Sequence, residues 1–257
     1  FNVTKIAYSI GGRQMKKINL AIRGGGVKVP SIGVMKAMEE ERIEISAYSG
    51  TSIGAIIATL GAIGATSDEI LTQVQKYVIQ YSDASRLKGG KGSKIIEETV
   101  NAYCGNMKFK DLKKDLYIAT NKGGLLFPET FLFGNCNTPE ITLGEACRAS
   151  CSFPFAYEHY HMQIREKTYK FWDGGMASNP IIPSEGFTIL STFKKERENK
   201  HSRYAKAWMQ AEEDANFVIK PKICLGTFGT PKDIADAAEI GYVEARRKME
   251  ELLHCIR

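Results

Sequence analysis

Long apolar runs are missing from this chain of 257 residues. No stretch approaches the roughly 20 consecutive apolar residues that a membrane-spanning helix needs. Residues 1–14 also lack the order of a secretory signal, in which charged residues precede an apolar run. We therefore predict a cytoplasmic protein that is peripheral wherever it meets a membrane, with a secreted effector as the open alternative.

The chain is also short of residues in metal-binding patterns. Its six cysteines form no C-x-x-C pair, and it has four histidines. Cys147, Cys151, His159 and His161 could be drawn together into a zinc site, but structural zinc sites usually show tighter paired spacing. Reduced thiols packed as small apolar side chains are the simpler interpretation. We predict no metal and no cofactor.

No run of basic residues with interleaved aromatics is present, although the chain is basic overall. Thirty-five Lys and Arg side chains against 29 Asp and Glu give a formal charge of +6. That charge suits anionic phospholipid surfaces and nucleic acid equally well. Because the lysines are spread along the chain, we expect no nucleic-acid partner, and protein partners are left unknown.

What the chain does have is an alternation of strands and helices without repeats or a low-complexity linker. This pattern favours a mostly parallel sheet wrapped by helices. In a first unit, residues 18–22 lead through three glycines to a helix over 31–42. In a second, residues 43–48 lead through Ser52 to a buried helix over 53–60. Further strands are predicted at 116–120, 125–127, 169–172, 187–190 and 223–228, with helices starting at the capping boxes Thr66–Glu69 and Thr142–Glu145 and an amphipathic helix closing the chain over 234–252.

Gly50-Thr51-Ser52-Ile53-Gly54 places a serine between two glycines at the end of an apolar segment. A serine on a sharp strand-to-helix turn is typical of a nucleophile, and Gly50 and Gly54 avoid collisions of that turn with its neighbours. The helix that follows would direct its N-terminal amides and positive dipole end at Ser52. Such a serine needs a base for its proton and donors for the oxyanion that forms.

Gly24-Gly25-Gly26-Val27-Lys28 is a second glycine turn between a strand and a helix. Three glycines let backbone N–H groups approach a negatively charged oxygen, and Lys28 adds positive charge nearby. The turn therefore fits an oxyanion hole. A phosphate cradle for a nucleotide stays the alternative, although the spacings G-x-x-x-x-G-K-[ST] and G-x-G-x-x-G are both absent.

The base is better supplied by an aspartate than by a histidine. Asp173-Gly174-Gly175 follows an apolar run, so its carboxyl can be half-buried and directed at Ser52 by a tight turn. None of the four histidines lies in a segment that looks built around it. A D-G-G turn alone is common in loops, and its combination with the two glycine turns carries the argument.

These three motifs, in this order, resemble those of the patatin-like phospholipase family. The resemblance rests on Gly24 to Lys28 as the oxyanion loop, Gly50 to Gly54 as the nucleophile elbow, and Asp173 to Gly175 as the D-G-G turn. Similarity extends to Glu145 to Ser150 with Phe153-Pro154, and to Asn179-Pro180. It implies a three-layer α/β fold with a central, mostly parallel sheet, in which residues 15–257 form one patatin-like domain behind an N-terminal extension, 1–14.

The resemblance also implies a Ser-Asp dyad without histidine. Ser52 would attack a lipid ester, Asp173 would accept its proton, and the amides of the loop from Gly24 to Gly26, supported by Lys28, would hold the oxyanion. An acyl-enzyme would form and release a free fatty acid from a phospholipid or related acyl lipid, in the manner of a phospholipase A or lysophospholipase. One departure is Val29-Pro30, which stands where the family usually has glycine and leaves the oxyanion loop about one residue short.

Two other functions stay open at the sequence level. The first is an esterase with a Ser-His-Asp triad, in which His201 or His254 joins Ser52 and Asp173. The second is a non-catalytic module whose glycine turns bind an anionic head group or a nucleotide. Residues 88–94 are predicted as a solvent loop, with a lid or a surface-docking loop as the alternative. Apolar residues near the motifs could line an acyl groove, touch a bilayer or belong to the core: Phe127, Phe131, Leu132, Phe133, Phe153 and Phe155.

Overall fold

The computed structural model describes residues 16–26, 30–81, 91–124, 126–154, 158–176, 183, 185–195, 203–223 and 229–257. The helices are α1 (Ser31–Glu40), α2 (Ile53–Ala62), α3 (Ser67–Tyr81), α4 (Lys91–Cys104), α5 (Leu143–Ser150), α6 (Arg203–Asp214) and α7 (Pro231–Ile256). The strands are β1 (Ile18–Ile22), β2 (Ile45–Thr51), β3 (Asp115–Asn121), β4 (Thr130–Gly134), β5 (Tyr160–Ile164), β6 (Lys167–Phe171), β7 (Phe187–Ser191), β8 (Lys194–Lys195), β9 (Phe217–Ile219) and β10 (Lys222–Ile223).

A six-stranded sheet in the order β4-β3-β2-β1-β7-β9 forms the centre of the fold. The neighbours β3-β2, β2-β1, β1-β7 and β7-β9 are parallel, and only β4 at the edge runs antiparallel to its neighbour in this sheet. Because parallel strands end at the same edge, the residues that follow β1, β2 and β3 meet there. The prediction of a mostly parallel sheet is confirmed.

Helices cover both faces of this sheet, which makes the three layers that were expected. Strand β1 shows why, since Leu20 and Ile22 join the main core while Ala21 joins a smaller cluster with Leu190 and Trp208. Side chains alternate between the two faces of a strand, so the two clusters lie on opposite faces. All ten residues of α2 are buried, as a helix behind the sheet requires.

The closing helix α7 packs its backbone directly on α1. A Cβ added at Gly33 would overlap the carbonyl oxygen of Ala238, and one at Gly241 would overlap that of Pro30. The predicted apolar stripe of α7 is buried along its whole length. Its seven residues are Ile234, Ala237, Ala238, Gly241, Ala245, Met249 and Leu252. The predicted capping boxes are also present at Thr66–Glu69 and Thr142–Glu145.

Two local predictions need correction, and part of a third lies outside the described residues. Residues 126 and 127 lie in a turn between β3 and β4 instead of the strand predicted at 125–127. Residues 91–94 begin α4 instead of a solvent loop, because buried Ser93 accepts a hydrogen bond from the Nε of Arg148 at 3.2 Å while residues 88–90 lie outside the described ranges. Helices α4 and α6 were not anticipated from the sequence. Strand β10 ends at Ile223, and residues 224–228 of the predicted strand are not described.

Candidate active site

Ser52 occupies a strained turn between β2 and α2. Its φ of 55° and ψ of −129° lie in a region that residues with a side chain rarely adopt. A Cβ at Gly50 would overlap the carbonyl oxygen of Gly54, and a Cβ at Gly54 would come within 2.6 Å of the carbonyl oxygen of Ile22. The turn therefore requires glycine on both sides of Ser52, and α2 begins at the very next residue.

Asp173 accepts a hydrogen bond directly from the Ser52 hydroxyl. The Ser52 Oγ donates to Asp173 Oδ2 at 2.7 Å, and the second carboxylate oxygen, Oδ1, accepts the amide of Gly175 at 2.8 Å. The Asp173 amide in turn donates to the carbonyl of Ser152 at 2.8 Å. With 5% of its surface exposed, the carboxyl is held in one orientation with a partner on each oxygen.

Burial sets the ionisation of this carboxyl. Loss of water raises the pKa of Asp173 to about 6, against the opposing effect of hydrogen bonds from Ser52 and from the Gly175 amide. A carboxyl with its pKa close to neutrality is a stronger base than an exposed aspartate and is still ionised at pH 7. The site thus combines a hydroxyl with an unusually basic carboxylate.

The end of β3 holds Asp173 in place. Its neighbour Trp172 exchanges backbone hydrogen bonds with Asn121 at the end of β3, at 3.1 and 2.8 Å. A Cβ at Gly174 would overlap the carbonyl oxygen of Ala119, so the D-G-G turn lies against β3 where a larger residue would not fit. The aspartate therefore reaches the same sheet edge as Ser52 even though it follows the outlying hairpin of β5 and β6.

The turn at Gly24 to Gly26 lies beside Ser52. A Cβ at Gly24 would stand 2.9 Å from the Ser52 Cβ and would overlap the carbonyl oxygen of Thr51. Gly25 and Gly26 have φ values of 154° and 87°, which only glycine adopts readily. The glycine turn, the start of α2 and the Ser52 hydroxyl therefore share one small region, while Lys28 and Val29 lie outside the described residues.

Arg23, which no motif indicated, holds the start of this turn. It is 1% exposed, and its guanidinium lies over the rings of Phe193 and Trp208 at 4.5 and 4.8 Å from their centroids. Its Nη1 donates to the carbonyl of Phe193 at 2.8 Å. Since a Cβ at Gly25 would overlap the Phe193 ring, the same aromatic residue contacts both Arg23 and the glycine turn.

Two residues at the C-terminal end of α5, Ser150 and its C-cap Cys151, complete the surroundings of Ser52. The Ser150 Oγ accepts the Ser52 amide at 2.9 Å and donates to the carbonyl of Ala119 at 2.6 Å, which fixes the nucleophile turn to β3. Burial first, and the charge of Asp173 second, raise the pKa of the Cys151 thiol well above its usual value. Cys151 is therefore a neutral thiol in the wall of the site, and the sequence signal for both residues is their place in the Glu145 to Phe153 segment.

Among the described residues, the Ser52 hydroxyl donates to Asp173 and to none of the histidines. His254 lies next to Cys255, whose carbonyl accepts the Lys16 Nζ at 2.8 Å, and Lys16 precedes β1. That is the amino end of the parallel strands, one strand length of about 16 Å from the edge that carries Ser52. His159 and His161 lie 4.7 Å apart, with His159 beside Trp172, and His201 is not described.

Metal-binding clusters and membrane-spanning helices are both missing from the described ranges. No three His, Cys, Asp or Glu side chains there are placed to hold a metal ion. Cys147 and Cys151 are buried free thiols, while the alternative zinc ligands His159 and His161 lie beyond α5, with His159 beside Trp172. None of the helices in those ranges is long and apolar enough to cross a bilayer.

Two curated proteins are similar to this chain in sequence. The chain is 29% identical to uncharacterized protein R571 of Acanthamoeba polyphaga mimivirus over 156 residues, which is 53% of this chain and 52% of the relative. It is 29% identical to uncharacterized protein YqhO of Bacillus subtilis over 220 residues, or 71% of this chain and 74% of the relative. The chain thus spans about half the length of the first relative and about three quarters of the second.

Two solved structures share the fold. VipD from Legionella pneumophila aligns with a TM-score of 0.58 at 14% identity, over 93% of this chain and 67% of that one. ExoU in its complex with SpcU from Pseudomonas aeruginosa aligns with a TM-score of 0.52 at 16% identity, over 95% of this chain and 52% of that one. The family model for Patatin-like phospholipase matches residues 20–184, which contain all three motifs and more than half of the sequence. This chain therefore belongs to the patatin-like phospholipase family.

Proposed function

We propose that this protein is a lipid acyl hydrolase that cleaves carboxylic esters of phospholipids or related acyl lipids. The observation that carries the proposal is the 2.7 Å hydrogen bond from the Ser52 hydroxyl to a buried carboxylate, in a chain of the patatin-like phospholipase family. Phospholipase A or lysophospholipase activity is the form of this reaction that fits the family. The direct hydrogen bond between Ser52 and Asp173 supports a two-residue mechanism over a triad.

Ser52 and Asp173 perform the first half of the reaction. As the Ser52 Oγ bonds to the ester carbonyl carbon, its proton passes to Asp173 Oδ2 along the existing hydrogen bond. The raised pKa of about 6 makes this transfer easier than it would be to an exposed aspartate. The same value means that the base is lost by protonation as the pH falls below about 6.

The glycine turn and the helix start stabilise the charge that develops. The carbonyl oxygen becomes an oxyanion beside Gly24 to Gly26. Because these residues have no side chains, their backbone amides can approach the oxyanion closely. The N-terminus of α2 adds the positive end of its dipole at Ser52. Lys28 is proposed to support the same oxyanion with its charge.

Collapse of the intermediate and hydrolysis of the acyl-enzyme complete the cycle. The proton held by Asp173 passes to the leaving alcohol oxygen as the ester C–O bond breaks, leaving the acyl group on Ser52. Asp173 then accepts a proton from a water molecule that attacks the acyl carbon, and this proton returns to the Ser52 Oγ as the free fatty acid leaves. Each proton taken up by the carboxylate is therefore returned within one turnover.

The test combines lipid turnover with a covalent probe. The purified protein is incubated with a mixed phospholipid extract, with lysophospholipids and with a soluble short-chain ester, and released fatty acid is measured by mass spectrometry. Ser52→Ala and Asp173→Asn should each lower turnover by at least about 1,000-fold, since each removes a reacting group. Ser46→Ala, on the same strand as the nucleophile turn, is the matched control and should retain activity.

The remaining functions give different results in this test. Loss of turnover in His201→Ala or His254→Ala would show that a histidine serves as the base and would overturn the dyad, whereas Asp173→Asn loses turnover in both arrangements. Absence of fatty-acid release from every substrate, together with failure of a fluorophosphonate to label Ser52 in the folded protein, would favour a non-catalytic module that binds anionic head groups or nucleotides. Labelling of Ser52 that disappears in Ser52→Ala supports the hydrolase.

A further inference from the structure

The turn between β3 and β4 presents two large apolar side chains to water. Leu126 is 84% exposed and Phe127 is 81% exposed, and these are the highest values among the large hydrophobic residues in the described ranges. Exposed Ile79, the next, reaches 59%. We refer to the described residues 122–124 and 126–129 as the β3–β4 loop. Two adjacent large apolar residues with this exposure are unusual unless they contact a partner or a membrane.

The base of the β3–β4 loop is held by buried Asn121. Its side-chain Nδ2 donates to the carbonyl of Gly124 at 2.8 Å, and its Oδ1 accepts the amides of Gly123 and Glu129 at 2.9 and 3.1 Å. The Lys122 amide also donates to the Glu129 carbonyl at 2.9 Å. This network closes the loop across its base, so the apolar tip is displayed by an ordered turn.

The loop is rooted beside the catalytic carboxylate. Asn121 is the residue that exchanges two backbone hydrogen bonds with Trp172, and Asp173 follows directly. Half-buried Trp172 also lies near Gly124, since a Cβ added there would be 3.7 Å from the indole Nε1. Leu126 and Phe127 therefore project from the rim of the Ser52–Asp173 site.

The charge around this rim is positive on balance. The β5–β6 hairpin, which packs its Tyr169 ring 5.1 Å from Phe131 of β4, carries Arg165, Lys167 and Lys170 against one acid, Glu166. The Lys170 Nζ lies 5.1 Å from the centre of the Trp172 ring. Within the loop itself Lys122 and Glu129 pair, and Glu158 stands near His159, so the excess charge comes from the hairpin.

We propose that Leu126 and Phe127 insert into the surface of anionic phospholipid membranes and dock the active site there, with the β5–β6 hairpin against the head groups. An apolar tip beside basic side chains is the combination that binds such a surface. The inference rests on the proposed function for the reason to dock, because a diacyl lipid reaches Ser52 from a bilayer. The docking itself requires no catalysis and can be measured without it.

Binding is tested in protein that carries Ser52→Ala, so that lipid is not consumed. Flotation with vesicles of phosphatidylcholine and phosphatidylglycerol should show that L126S/F127S lowers the partition coefficient at least about tenfold. The matched control M209S/V243S removes two exposed apolar residues on α6 and α7, 50% and 57% exposed, and should bind as the parent does. Leu126→Trp, which keeps a large side chain suited to the interface, should bind at least as well as the parent.

Activity measurements in protein that retains Ser52 separate docking from catalysis. L126S/F127S should hydrolyse a soluble short-chain ester within twofold of the parent and hydrolyse vesicle lipid at least about tenfold more slowly. Unchanged flotation of L126S/F127S would overturn docking, as would equal loss on soluble and vesicle substrates, which would make the loop part of the active site. A change in oligomeric state would assign the tip to a second copy of the chain instead. Vesicle binding that depends on Leu126 and Phe127 without turnover of any ester would retain docking and reject the proposed function.

Discussion

The two glycine turns beside Ser52 are held in place by different means. At the elbow, side chains at Gly50 or Gly54 would collide with backbone atoms of α2 or with those of Ile22 and Arg23. At the other turn, Gly25 meets the ring of Phe193, and Arg23 is fixed by two aromatic rings and a carbonyl. The elbow is thus fixed by the sheet and helix themselves. In the turn at Gly24 to Gly26, which we propose holds the oxyanion, Gly25 and the preceding Arg23 contact side chains from distant parts of the chain.

In the proposed mechanism, this difference separates positioning of the nucleophile from stabilisation of the oxyanion. Backbone packing changes little without loss of the fold, so Ser52 and the start of α2 keep one geometry wherever the protein is folded. Side chains such as Phe193 can be exchanged, so the turn at Gly24 to Gly26 can be altered in a folded protein. Substitutions at the elbow should therefore act on stability, and those around the oxyanion turn on catalysis.

The largest effect is expected for Gly54→Ala. The new Cβ would lie 2.6 Å from the carbonyl oxygen of Ile22 at the end of strand β1, so the collision is with backbone and not with a side chain that could move away. We expect the free energy of unfolding to fall by about 4 kcal/mol or more, or the protein to be recovered insoluble. Denaturant unfolding measures this, with Ala58→Gly on the same helix as a control that should lose only about 1–2 kcal/mol.

Retention of normal stability in Gly54→Ala would contradict the difference between the two glycine turns. It would mean that β1 and α2 can separate at this point, and that the elbow is no more rigid than the oxyanion turn. The same measurement on Gly50→Ala tests the other side of Ser52, where the collision is with Gly54 and Ala55.

Gly25→Ala should act on the rate instead. Its Cβ would meet the tip of the Phe193 ring, and the φ of 154° would be strained, so the turn should shift away from the reacting oxygen. Displacing one oxyanion donor lowers kcat by about 100- to 1,000-fold. The measurement is kcat on the soluble ester, alongside the free energy of unfolding, which should fall by no more than about 2 kcal/mol.

Gly64→Ala is the control for backbone strain alone. Gly64 has a φ of 95° but nothing within 4 Å of the added Cβ, and it lies after α2 away from Ser52. Its free energy of unfolding should fall by about as much as that of Gly25→Ala, while its kcat should stay unchanged. Equal kcat values in the two variants would show that the turn at Gly25 holds no oxyanion.

The motifs with strict local geometry were the parts of the site that could be predicted from the sequence. Gly50, Gly54 and Gly174 are needed because backbone atoms close in space leave no room for a Cβ, and such a requirement is visible as a fixed spacing. The apolar stripe of α7 was equally visible because a helix shows its buried face every three or four residues.

Long-range side-chain packing could not be predicted in the same way. Arg23 is charged and yet buried, and its partners Phe193 and Trp208 lie some 170 residues or more along the chain. Leu126 and Phe127 have the composition of a strand, which predicts a strand there, while the Asn121 side chain holds the backbone of a turn. No local pattern reveals either arrangement.

Asp173→Asn should stabilise the protein at neutral pH while it removes the base. Burial raises the pKa of Asp173 from 3.8 to about 6, so the ionised carboxyl destabilises the fold. That penalty is absent below about pH 4, grows as the pH rises through 6 and is complete above it, at roughly 2–3 kcal/mol. Asparagine avoids it and can still pair with Ser52 and the Gly175 amide.

Denaturant unfolding of Asp173→Asn across the range pH 4 to 8 checks this. The variant should gain stability over the parent at pH 8 and lose that advantage by pH 4. Asp68→Asn, at an exposed side chain, should change the free energy of unfolding by less than about 0.5 kcal/mol. A gain that does not vary with pH would mean that the carboxylate charge is not its source, and a loss at pH 8 would mean that the carboxylate stabilises the elbow.

The smallest effect is expected for Arg23→Lys, which tests whether side chains shape the oxyanion turn. Lysine keeps the charge but cannot lie flat between Phe193 and Trp208 or present a planar donor to the Phe193 carbonyl. With Arg23 acting as a positioning residue, kcat on the soluble ester should fall about tenfold while KM stays within twofold, because the loss is felt at the oxyanion. Trp208→Phe keeps an aromatic face for the guanidinium and should retain most of kcat. A fall in kcat that merely follows the loss of folded protein would reduce Arg23 to a core residue, and the two glycine turns would then be held alike.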